Sequence, residues 1–446
     1  MKRILAFVCG LSVVFGLTAC SSSKKGVTIL DSSGQTIATV TKMDFSTKDL
    51  VKADYRTYVA IVLDEAVDAL EEKYDCSEKE AKSKLFAQPL TIKTAFNSKV
   101  QTATQKMYAK YKSEGLSIGC AINDNKGNLC AAFSVGDKNY ATETQSPYST
   151  IKPLSVYAPA IERGMIDWST LYTDKPYKQI VDESGKTSDW PKNVTNNYTY
   201  KDTTVAQAIK ESINTVAVHC LATLRVKYSI SFLESSFDMN LEYEENKATL
   251  QGAKEVLGNV GLGYLYKGVS PVDLAGYYQI FTNGGKYVKP HAISEITDAS
   301  GKAVYTAKPQ TRQIISEQTA YIMNRLLREV VLPGGTGSKA LVGNTPTIGK
   351  TGTGTDKGGN WFVGSTTQYS CALWHSDNGS GNFAPQLFYE IFSEIPNLST
   401  NEFTPCDTVE SIAYCNESGK KATSSCTSIH VGYYAADRIP SDCDMH

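Results

Sequence analysis

The sequence predicts an α+β fold in which an antiparallel sheet is flanked by a helical region. Residues 116–135 alternate apolar and polar positions around the turn NDNKGN, which is typical of a β-hairpin. Helices and polar loops follow up to residue 330, and three strand-like segments come after them. Strands on both sides of a helical stretch indicate one sheet that is built from both ends of a domain.

Two strands and two helices are predicted before this hairpin. The segment VTILDSSGQTIATV, residues 27–40, indicates two short strands around a Ser-Gly turn. Residues 54–75 predict a long amphipathic helix, with one stripe formed by Val59, Val62, Leu63, Ala66 and Leu70. Residues 97–111 predict a second helix, with one side formed by Val100, Thr104, Met107, Tyr108 and Tyr111.

Three strands and one helix are predicted after the helical stretch. The strands are TIGKTGT, NWFVGSTT and SCALWHS, and the closing helix is FAPQLFYEIFSEI. The three strands follow one another closely, so they suit neighbouring positions in one antiparallel sheet.

Length, composition and charge indicate an ordinary globular protein. The chain has 446 residues, of which 41% are apolar and 20% are charged, which suits a buried core. Lys and Arg number 45 against 46 Asp and Glu, which gives a net charge of -1. This balance provides no overall attraction to nucleic acid, so we expect no nucleic-acid partner.

The first 20 residues resemble a bacterial lipoprotein signal. MKR is positively charged, and the apolar run ILAFVCGLSVVFGL is shorter than the about 20 residues of a membrane span. In lipoproteins, the cysteine at the position of Cys20 is diacylated, and two acyl chains anchor stably. We therefore expect an extracytoplasmic protein that is anchored to the bacterial cell membrane by lipidated Cys20. An ordinary secretion signal and a short membrane anchor are the alternatives, and both keep the remainder outside the cytoplasm.

Eleven cysteines suit an exported protein. Four of them crowd the last part of the sequence: Cys406, Cys415, Cys426 and Cys443. They allow three disulfide pairings, between which the sequence does not choose. A metal site is the less favoured alternative, because His430 and His446 lack the spacing of a zinc finger.

The remaining cysteines of the exported part have two expected roles. Cys120 and Cys130 flank a hairpin turn, so we expect them near one another across the strands. Cys76, Cys220 and Cys371 are expected to be small buried hydrophobic residues.

Two motifs match known sites but stand in the wrong context. GNTPTIGKTGTG nearly matches a phosphate-binding loop, but Asn344 stands where that loop needs glycine, and Gly343 comes one residue early. GLSIG matches a nucleophile elbow, which requires the order strand, turn, helix, whereas Ser117 begins a predicted strand. We expect neither nucleotide binding nor a nucleophilic Ser117.

The five histidines give no support for metal or triad chemistry. They are scattered, without a His-Glu-x-x-His motif: His219, His291, His375, His430 and His446. Without a suitable histidine, a Ser-His-Asp triad is disfavoured. We therefore expect no metal ligands and no cofactor.

A serine can instead be activated by a lysine. Ser149 and Lys152 are three residues apart, which places both on one face of the helix indicated by STIKPLSVYAPAIERG. Pro153 is tolerated there, because first-turn N–H groups lack partners within the helix. The positive helix end favours developing negative charge at Ser149, and a desolvated Lys152 beside another cation has a lowered pKa.

The Ser-x-x-Lys pattern alone is weak, since it also occurs twice in the linker after the signal. Its strength is the order of the motifs that follow. Ser212 and Asn214 form a Ser-x-Asn motif at a break between two apolar helical stretches. Lys-Thr-Gly occurs once, at residues 350–352, on a predicted strand.

In this order the motifs resemble the transpeptidase domain of penicillin-binding proteins. The likeness extends over residues 90–395 and includes YSTIKP, WPKNVTNNYTYKDTTVAQAIKESINTVAV, GVSPVDLAGYYQIFTNGGKYVKP, GGTGSKA and GKTGTGTDKGGNWFVGST. The resemblance implies the serine β-lactamase/penicillin-binding transpeptidase fold, in which a helical subdomain flanks an antiparallel sheet.

The sequence resembles the bifunctional class A proteins, which join a glycosyltransferase to the transpeptidase. TILDSSGQTIATV resembles their start and LTIKTAFNSKVQ the region before their transpeptidase, but no Glu-Asp-x-x-Phe-like glycosyltransferase motif lies between. We predict a lipoprotein signal at residues 1–20, a linker and helical pre-domain at 21–90, a transpeptidase domain at 91–395 and a Cys-rich tail at 396–446.

The chemistry implied by the resemblance is acyl transfer on peptidoglycan stem peptides ending in D-Ala-D-Ala. Ser149 would be the nucleophile and Lys152 its general base. Ser212, assisted by Lys350, would relay a proton to the leaving amine. Asn214 would hold the amide side of the substrate.

The Lys-Thr-Gly strand would bind the substrate. The backbone N–H groups of Ser149 and Thr353 would form the oxyanion hole, in which one donor is worth roughly 3 to 4 kcal/mol. Lys350, with the hydroxyls of Thr351 and Thr353, suits the terminal carboxylate. Gly352 has no side chain to obstruct a stem peptide that lies antiparallel to the strand.

Several functions share these motifs. The enzyme would cross-link stem peptides as a D,D-transpeptidase, or hydrolyse its substrate as a D,D-carboxypeptidase or a β-lactamase. A non-catalytic penicillin-binding sensor lipoprotein is the alternative from a different class. The expected partners are stem peptides, β-lactams, the membrane through the lipid anchor, and a separate glycosyltransferase.

Overall fold

The computed structural model describes residues 26–43, 50–111, 115–181, 185–249, 253–354, 358–377, 379 and 381–446. The predicted lipid site Cys20 lies outside these residues. Within the described residues, no single helix is long and apolar enough to cross a membrane, although the helices Asn214–Leu224 and Val226–Phe237 pass that test as a pair bent by 88°.

Short strands and helices alternate along most of the chain. The first part contains β1 (Val27–Leu30), β2 (Thr36–Val40), β3 (Leu50–Val51), α1 (Arg56–Tyr74), α2 (Glu78–Ala87), β4 (Leu90–Thr94), α3 (Ser98–Tyr111), β5 (Ile118–Asp124) and β6 (Leu129–Val135). The middle part contains α4 (Ala158–Glu162), β7 (Leu171–Thr173), β8 (Lys178–Val181), β9 (Thr187–Trp190), β10 (Asp202–Thr204), α5 (Val205–Glu211), α6 (Asn214–Leu224), α7 (Val226–Phe237), α8 (Glu242–Thr249), α9 (Ala253–Leu262) and α10 (Pro271–Tyr277). The last part contains β11 (Lys286–Val288), β12 (Ile293–Asp298), β13 (Ala303–Thr306), β14 (Thr311–Gln313), α11 (Glu317–Val331), β15 (Ile348–Thr353), β16 (Asn360–Ser365), β17 (Tyr369–His375), α12 (Ala384–Glu394), β18 (Val409–Cys415) and β19 (Ile429–Ala435).

A five-stranded antiparallel sheet lies at the centre of the protein, in the order β15-β16-β17-β5-β6. It joins the predicted hairpin to the three predicted late strands, which confirms a sheet built from both ends of the domain. Its two faces contribute side chains to two different hydrophobic cores, because side chains alternate along each strand. Phe362 packs with α3 and α12, whereas its neighbours Trp361 and Val363 pack with the helical region.

A second sheet has the order β13-β12-β4-β1-β2-β3 and is covered by α1. All five residues of the predicted stripe on α1 are buried, as the helical period requires. Strands β12 and β13 reach this sheet from beyond residue 290, where β12 pairs with both β4 and β13. Elements on both sides of the predicted boundary at residue 90 therefore share one sheet.

The helical region covers the other face of the central sheet and holds the candidate site. Its core joins α4, α5, α6, α7, α9 and α11. Helix α5 is capped at its start by Thr204, whose side chain accepts a hydrogen bond from the Gln207 backbone N–H. It is followed by Ser212 in the left-handed conformation, with φ 61°. The chain thus breaks between α5 and α6 where the sequence predicts a break.

Strands β18 and β19 form a hairpin that docks on the helical region. The Tyr434 hydroxyl donates to Ser169 Oγ at 2.8 Å, and the Ser169 hydroxyl donates to the Gly419 carbonyl at 2.5 Å. Arg438 donates to the carbonyl of Ile161, within α4, at 2.9 Å. The Cys-rich tail is therefore attached to the helix that continues from Ser149.

The expected approach of Cys120 to Cys130 is wrong. The strand register places Cys120 opposite Phe133 and Leu373, and a bulge at Ile122 shifts the hairpin register. The Cys120 Sγ instead lies 3.8 Å from Cys371 Sγ on β17. Of the three cysteines predicted to be buried, Cys220 and Cys371 are buried, whereas Cys76 is half-buried.

Candidate active site

Ser149 lies at the start of a continuous helical run. A 3-10 turn at Tyr148–Thr150 leads through Lys152 into a π turn at Pro153–Tyr157 and then into α4. Tyr148 is left-handed, with φ 48°, although it carries a side chain, and it is held by a backbone bond to Gly263 and a hydroxyl bond to Gly358. The turn therefore presents a half-buried Ser149, whereas Lys152 is wholly buried.

Lys152 is held by three oxygen atoms of the segment between α5 and α6. Its Nζ donates to Asn214 Oδ1 at 2.6 Å, to the Ser212 carbonyl at 2.9 Å and to Ser212 Oγ at 3.4 Å. Burial, together with the nearby charge of Lys350, lowers the pKa of Lys152 well below its usual value. The lysine therefore loses its proton far more readily than an exposed lysine.

Lys350 reaches the same hydroxyl from the central sheet. Its Nζ donates to Ser212 Oγ at 2.8 Å and to the Thr351 carbonyl at 3.1 Å. Lys350 is 0% exposed, and burial lowers its pKa to about 7. The left-handed turn at Ser212 thus places one hydroxyl between two buried lysines.

The strand that carries Lys350 packs directly against the turn that carries Ser149. A Cβ added to Gly352 would lie 2.7 Å from the Pro147 carbonyl oxygen and 3.0 Å from Thr150 Cγ2. The glycine is therefore required by the protein's own packing, in addition to the substrate approach expected from the sequence. Thr353 is exposed at the end of β15, and the Thr351 hydroxyl donates to Thr336 Oγ1 at 2.8 Å.

Hydrogen bonds connect four of the predicted site residues into one network: Lys152, Ser212, Asn214 and Lys350. Among the described hydrogen bonds, none joins the Ser149 hydroxyl to this network, although Ser149 begins the run that contains Lys152. A neutral lysine amine in this network can accept a proton, and the Ser212 hydroxyl can pass one between its two lysine partners.

A group of residues that the sequence reasoning did not select orients Asn214. Asn193 Oδ1 accepts the Asn214 backbone N–H at 3.0 Å, and Asn193 Nδ2 donates to Asp174 Oδ1 at 2.8 Å. The Thr215 hydroxyl donates to the same Asp174 oxygen at 2.6 Å. Burial acts to raise the pKa of Asp174, but hydrogen bonds from Thr215, Thr199 and Asn193 outweigh it and hold that pKa below its usual value.

Asn382 is a second residue that the motifs did not reveal. Its Nδ2 donates to the carbonyls of Gly352 and Trp361, both at 3.0 Å, and so ties β15 to β16 beside the site. In the sequence it ends Ser380-Gly381-Asn382, a further Ser-x-Asn pattern that lies outside the ordered set of motifs. That pattern gives no reason to select it, because its contacts are with two strands that meet only in the fold.

The two competing motifs occupy structural positions. Lys350 lies within a strand, whereas a phosphate-binding loop would place it at the start of a helix. Ser117 comes just before β5, and its backbone N–H donates to Ser376 Oγ at 3.0 Å. His375 is buried and stacks on Phe383 with ring centroids 3.7 Å apart. In the described bonds, no histidine contacts a predicted site residue.

Comparison with known proteins identifies the family of the chain. The family of the penicillin-binding protein transpeptidase domain matches residues 97–393. Penicillin-binding protein 1A of Clostridium acetobutylicum is 28% identical over 401 residues, which are 82% of this chain and 47% of the relative. Penicillin-binding protein 4 of Bacillus subtilis is 30% identical over 328 residues, which are 71% of this chain and 48% of the relative. The chain spans about half the length of these curated relatives.

Solved structures resemble the protein in fold. The D,D-transpeptidase domain of a peptidoglycan glycosyltransferase from Eggerthella lenta superimposes with a TM-score of 0.61 and 18% identity, covering 83% of this chain and 98% of that domain. Penicillin-binding protein 3 of Mycobacterium tuberculosis, complexed with ampicillin, gives 0.63 and 17% identity, covering 83% and 94%. The chain has the α+β penicillin-binding transpeptidase fold and belongs to the penicillin-binding protein transpeptidase domain family.

Proposed function

We propose that this protein is a peptidoglycan D,D-transpeptidase, which cross-links stem peptides ending in D-Ala-D-Ala through an acyl-enzyme on Ser149. We also propose that β-lactams acylate the same serine. The observation that carries the proposal is the meeting of two buried lysines at the Ser212 hydroxyl, beside the turn that holds Ser149. Paired amines with lowered pKa values suit proton transfer near neutral pH.

In the first step, neutral Lys152 accepts the proton of the Ser149 hydroxyl as its oxygen attacks the penultimate D-Ala carbonyl carbon. The backbone N–H groups of Ser149 and Thr353 bind the resulting oxyanion. The bond to the terminal D-Ala nitrogen then breaks, and Ser212 passes a proton to that leaving amine. Lys350 donates to the Ser212 hydroxyl oxygen, which supports this relay.

In the second step, the amine of another stem peptide attacks the acyl-enzyme, and a new amide bond replaces the ester to Ser149. The attacking amine loses a proton to the Lys152 and Ser212 network, and the serine regains one. Water attacking in place of the amine would make the protein a carboxypeptidase or, with a β-lactam, a β-lactamase. A stable acyl-enzyme without turnover would make it a penicillin-binding sensor.

Substrate binding is assigned to the β15 edge. Lys350 and the Thr353 hydroxyl bind the terminal carboxylate, and the Thr351 hydroxyl joins them by turning away from Thr336 Oγ1. Asn214 holds the amide side of the stem peptide. Gly352 keeps this strand close to Ser149, which is the packing that its missing side chain allows. The reacting carbonyl then lies between the strand and the serine.

We further propose that the protein works outside the cytoplasm, on the bacterial cell membrane, through lipidated Cys20. The support is the signal-like sequence of residues 1–20, together with similarity to penicillin-binding proteins. A separate glycosyltransferase would supply the glycan strands whose stem peptides are cross-linked.

Fluorescent penicillin tests the acyl-enzyme. Purified wild-type protein, Ser149→Ala and the control Ser117→Ala would be incubated with the reagent and examined for covalent label. We expect label on the wild type and on Ser117→Ala, and none on Ser149→Ala. An unlabelled wild type would overturn the acyl-enzyme, and equal labelling of Ser149→Ala would overturn the assignment of the nucleophile.

Mass analysis of products separates the proposed reaction from the alternatives. With stem peptides that carry an acceptor amine, the transpeptidase makes a dimer that lacks one terminal D-Ala. Trimmed monomers alone would indicate a carboxypeptidase, and rapid loss of penicillin label would indicate a β-lactamase. A lasting label without any peptide product would indicate a sensor.

A further inference from the structure

Three tail cysteines converge at one end of the docked hairpin. Cys415 ends β18, Cys426 lies between β18 and β19, and Cys443 follows β19. They form a small buried cluster of their own, separate from the three apolar cores. Backbone hydrogen bonds hold two of these cysteines in place. The Cys443 N–H donates to the Lys421 carbonyl, and the Cys415 N–H donates to the Lys420 carbonyl.

An imidazole lies close to two of the three sulfur atoms. The Sγ atoms of Cys415 and Cys443 and one ring nitrogen of His446 all lie within 4.8 Å of one another. The Cys426 side chain contacts both Cys415 and Cys443. A tetrahedral zinc ion with Zn–S distances of about 2.3 Å places its sulfur ligands roughly 3.8 Å apart, so small side-chain shifts bring these atoms onto one ion.

Hydrogen-bond donors point at all three sulfur atoms. The Thr423 backbone N–H donates to Cys426 Sγ at 3.3 Å, and the Ser418 hydroxyl donates to Cys443 Sγ at 3.2 Å. The backbone N–H groups of Glu417 and Ser418 reach the Cys415 sulfur. Each of the three sulfur atoms therefore has a hydrogen-bond donor beside it, as the ligands of protein metal sites commonly have in their supporting shell.

Disulfide pairing accounts for this cluster only in part. One disulfide would use two of the three clustered sulfurs and leave the third thiol buried. The fourth tail cysteine, Cys406, lies elsewhere, where it lines a cavity with Phe281 and Tyr321. A metal uses all three sulfurs and the imidazole at once. The sequence lacks the spacing of a zinc finger, but the hairpin brings the distant cysteines and His446 together in the fold.

We propose that Cys415, Cys426, Cys443 and His446 bind one zinc ion as a structural site that closes the tail hairpin. Three thiolates and one imidazole are the ligand set and number that zinc prefers in structural sites. Binding releases the thiol protons to solvent and needs no oxidant. Glu417 lies 3.5 Å from Nε2 of His446, where a carboxylate can orient the ring.

The position of the ion explains what it stabilises. Gly419, four residues after Cys415, packs against Ser169 so closely that an added Cβ would lie 2.5 Å from the Ser169 carbonyl. The turn that begins at Cys415 is thus the turn that docks on the helical region. Zinc would hold this turn in its docked shape and leave the Ser149 chemistry itself unchanged.

Metal analysis of the full chain, purified in detergent without chelator, tests the site. We expect one zinc per chain in the wild type and in the control Cys406→Ser, which alters a tail cysteine outside the cluster. Cys426→Ser and His446→Ala should each lower zinc affinity at least roughly tenfold, since each removes one ligand. Zinc retained equally in Cys426→Ser would overturn the proposal.

Cobalt binding to the wild-type protein tests the site even if a variant folds poorly. Co²⁺ added to chelator-treated wild-type protein should give the visible absorption of tetrahedral thiolate coordination, and zinc should displace it. His446 is exposed, so His446→Ala preserves the buried cluster and should shift this spectrum. A disulfide between any two clustered cysteines in protein purified without reductant, found by mass analysis, would instead overturn the proposal.

Discussion

Lys152 and Lys350 donate to the same acceptor, the Ser212 hydroxyl oxygen, at 3.4 and 2.8 Å. Their other partners are neutral oxygens: the Ser212 carbonyl, the Asn214 amide and the Thr351 carbonyl. Two buried ammonium groups around one hydroxyl repel each other, and no carboxylate balances them in these bonds. The protonation states of the two lysines therefore determine the charge of the site.

Acylation should depend on pH through both lysines. The rate constant of acylation by penicillin should rise with pH as Lys152 loses its proton, and fall at higher pH as Lys350, with a pKa of about 7, loses the charge that binds the carboxylate. Rates measured with fluorescent penicillin from about pH 5 to 9.5 should follow a bell-shaped curve. Lys350→Arg should move the falling limb upward, because a guanidinium stays charged. A rate that only rises across this range contradicts the assignment.

The buried charge of Lys350 should lower the free energy of unfolding, although the proposed reaction needs that charge. Because its pKa is lower in the folded state than in the unfolded state, its cost to stability is full below about pH 7 and fades as pH rises toward the unfolded pKa, about 10.4. Lys350→Met should therefore raise the free energy of unfolding at about pH 6, by up to a few kcal/mol, and raise it less at about pH 9.5. Denaturant unfolding at both pH values measures this, with exposed Lys339→Met as the control.

Gly352→Ala should separate β15 from the Ser149 turn. The new methyl group would lie 2.7 Å from the Pro147 carbonyl oxygen, so the strand must move outward. We expect acylation at least roughly tenfold slower, because small displacements of reacting groups are costly. Gly258→Ala is a matched control, since its methyl group would meet only Trp190 at 3.7 Å. Equal acylation rates in the two variants would refute the packing argument.

Asn193→Ala should affect the reaction through Asn214. Loss of its amide removes the acceptor for the Asn214 backbone N–H and the link to Asp174. The acylation rate constant should fall roughly tenfold, because a small displacement of a reacting group is costly, while the affinity for penicillin before acylation changes little. Asn197→Ala is the control, since only the backbone carbonyl of Asn197 bonds to Asn193. A change confined to affinity would contradict a positioning role.

Cys20→Ala should release the protein from the membrane. Two acyl chains on Cys20 would give stable anchoring, and the variant has no thiol to acylate. Cell fractionation and labelling with a fatty-acid analogue measure both effects, with Cys9→Ala as the control. Membrane association and acyl label that persist in Cys20→Ala would contradict lipidation at this residue.

The elements of the fold were predictable where one periodicity continues for several turns. The α1 stripe and the late strands follow from local pattern alone, and all five stripe residues are buried. Register was not predictable, since Cys120 meets Cys371 from 251 positions away through the direct pairing of β5 with β17. The sheet that combines β1, β4 and β12 likewise depends on contacts that no local pattern encodes.

The residues of the candidate site were likewise predictable only where a local pattern marks them. Ser212 and Asn214 were found because motif order and a helix break coincide at them. Asp174 and Asn193 were missed because they meet the segment of Asn214 and Thr215 only in the fold, and isolated polar residues in a loop carry no periodic signal. The tail cysteines were found as a group, but the convergence of Cys415 and Cys426 with His446 required the hairpin.

The pairing of β5 with β17 also determines when the protein can fold. During synthesis the sequence of the β5–β6 hairpin is made long before that of its partner strand, which is separated from it by 251 residues at the Cys120–Cys371 contact. Until β17 arrives, β5 has an unpaired edge that can associate with other chains. Closing so long a loop is slow, so the central sheet, and with it the strand that carries Lys350, is expected to form last. A chain that crosses a membrane before folding therefore needs that edge protected in transit.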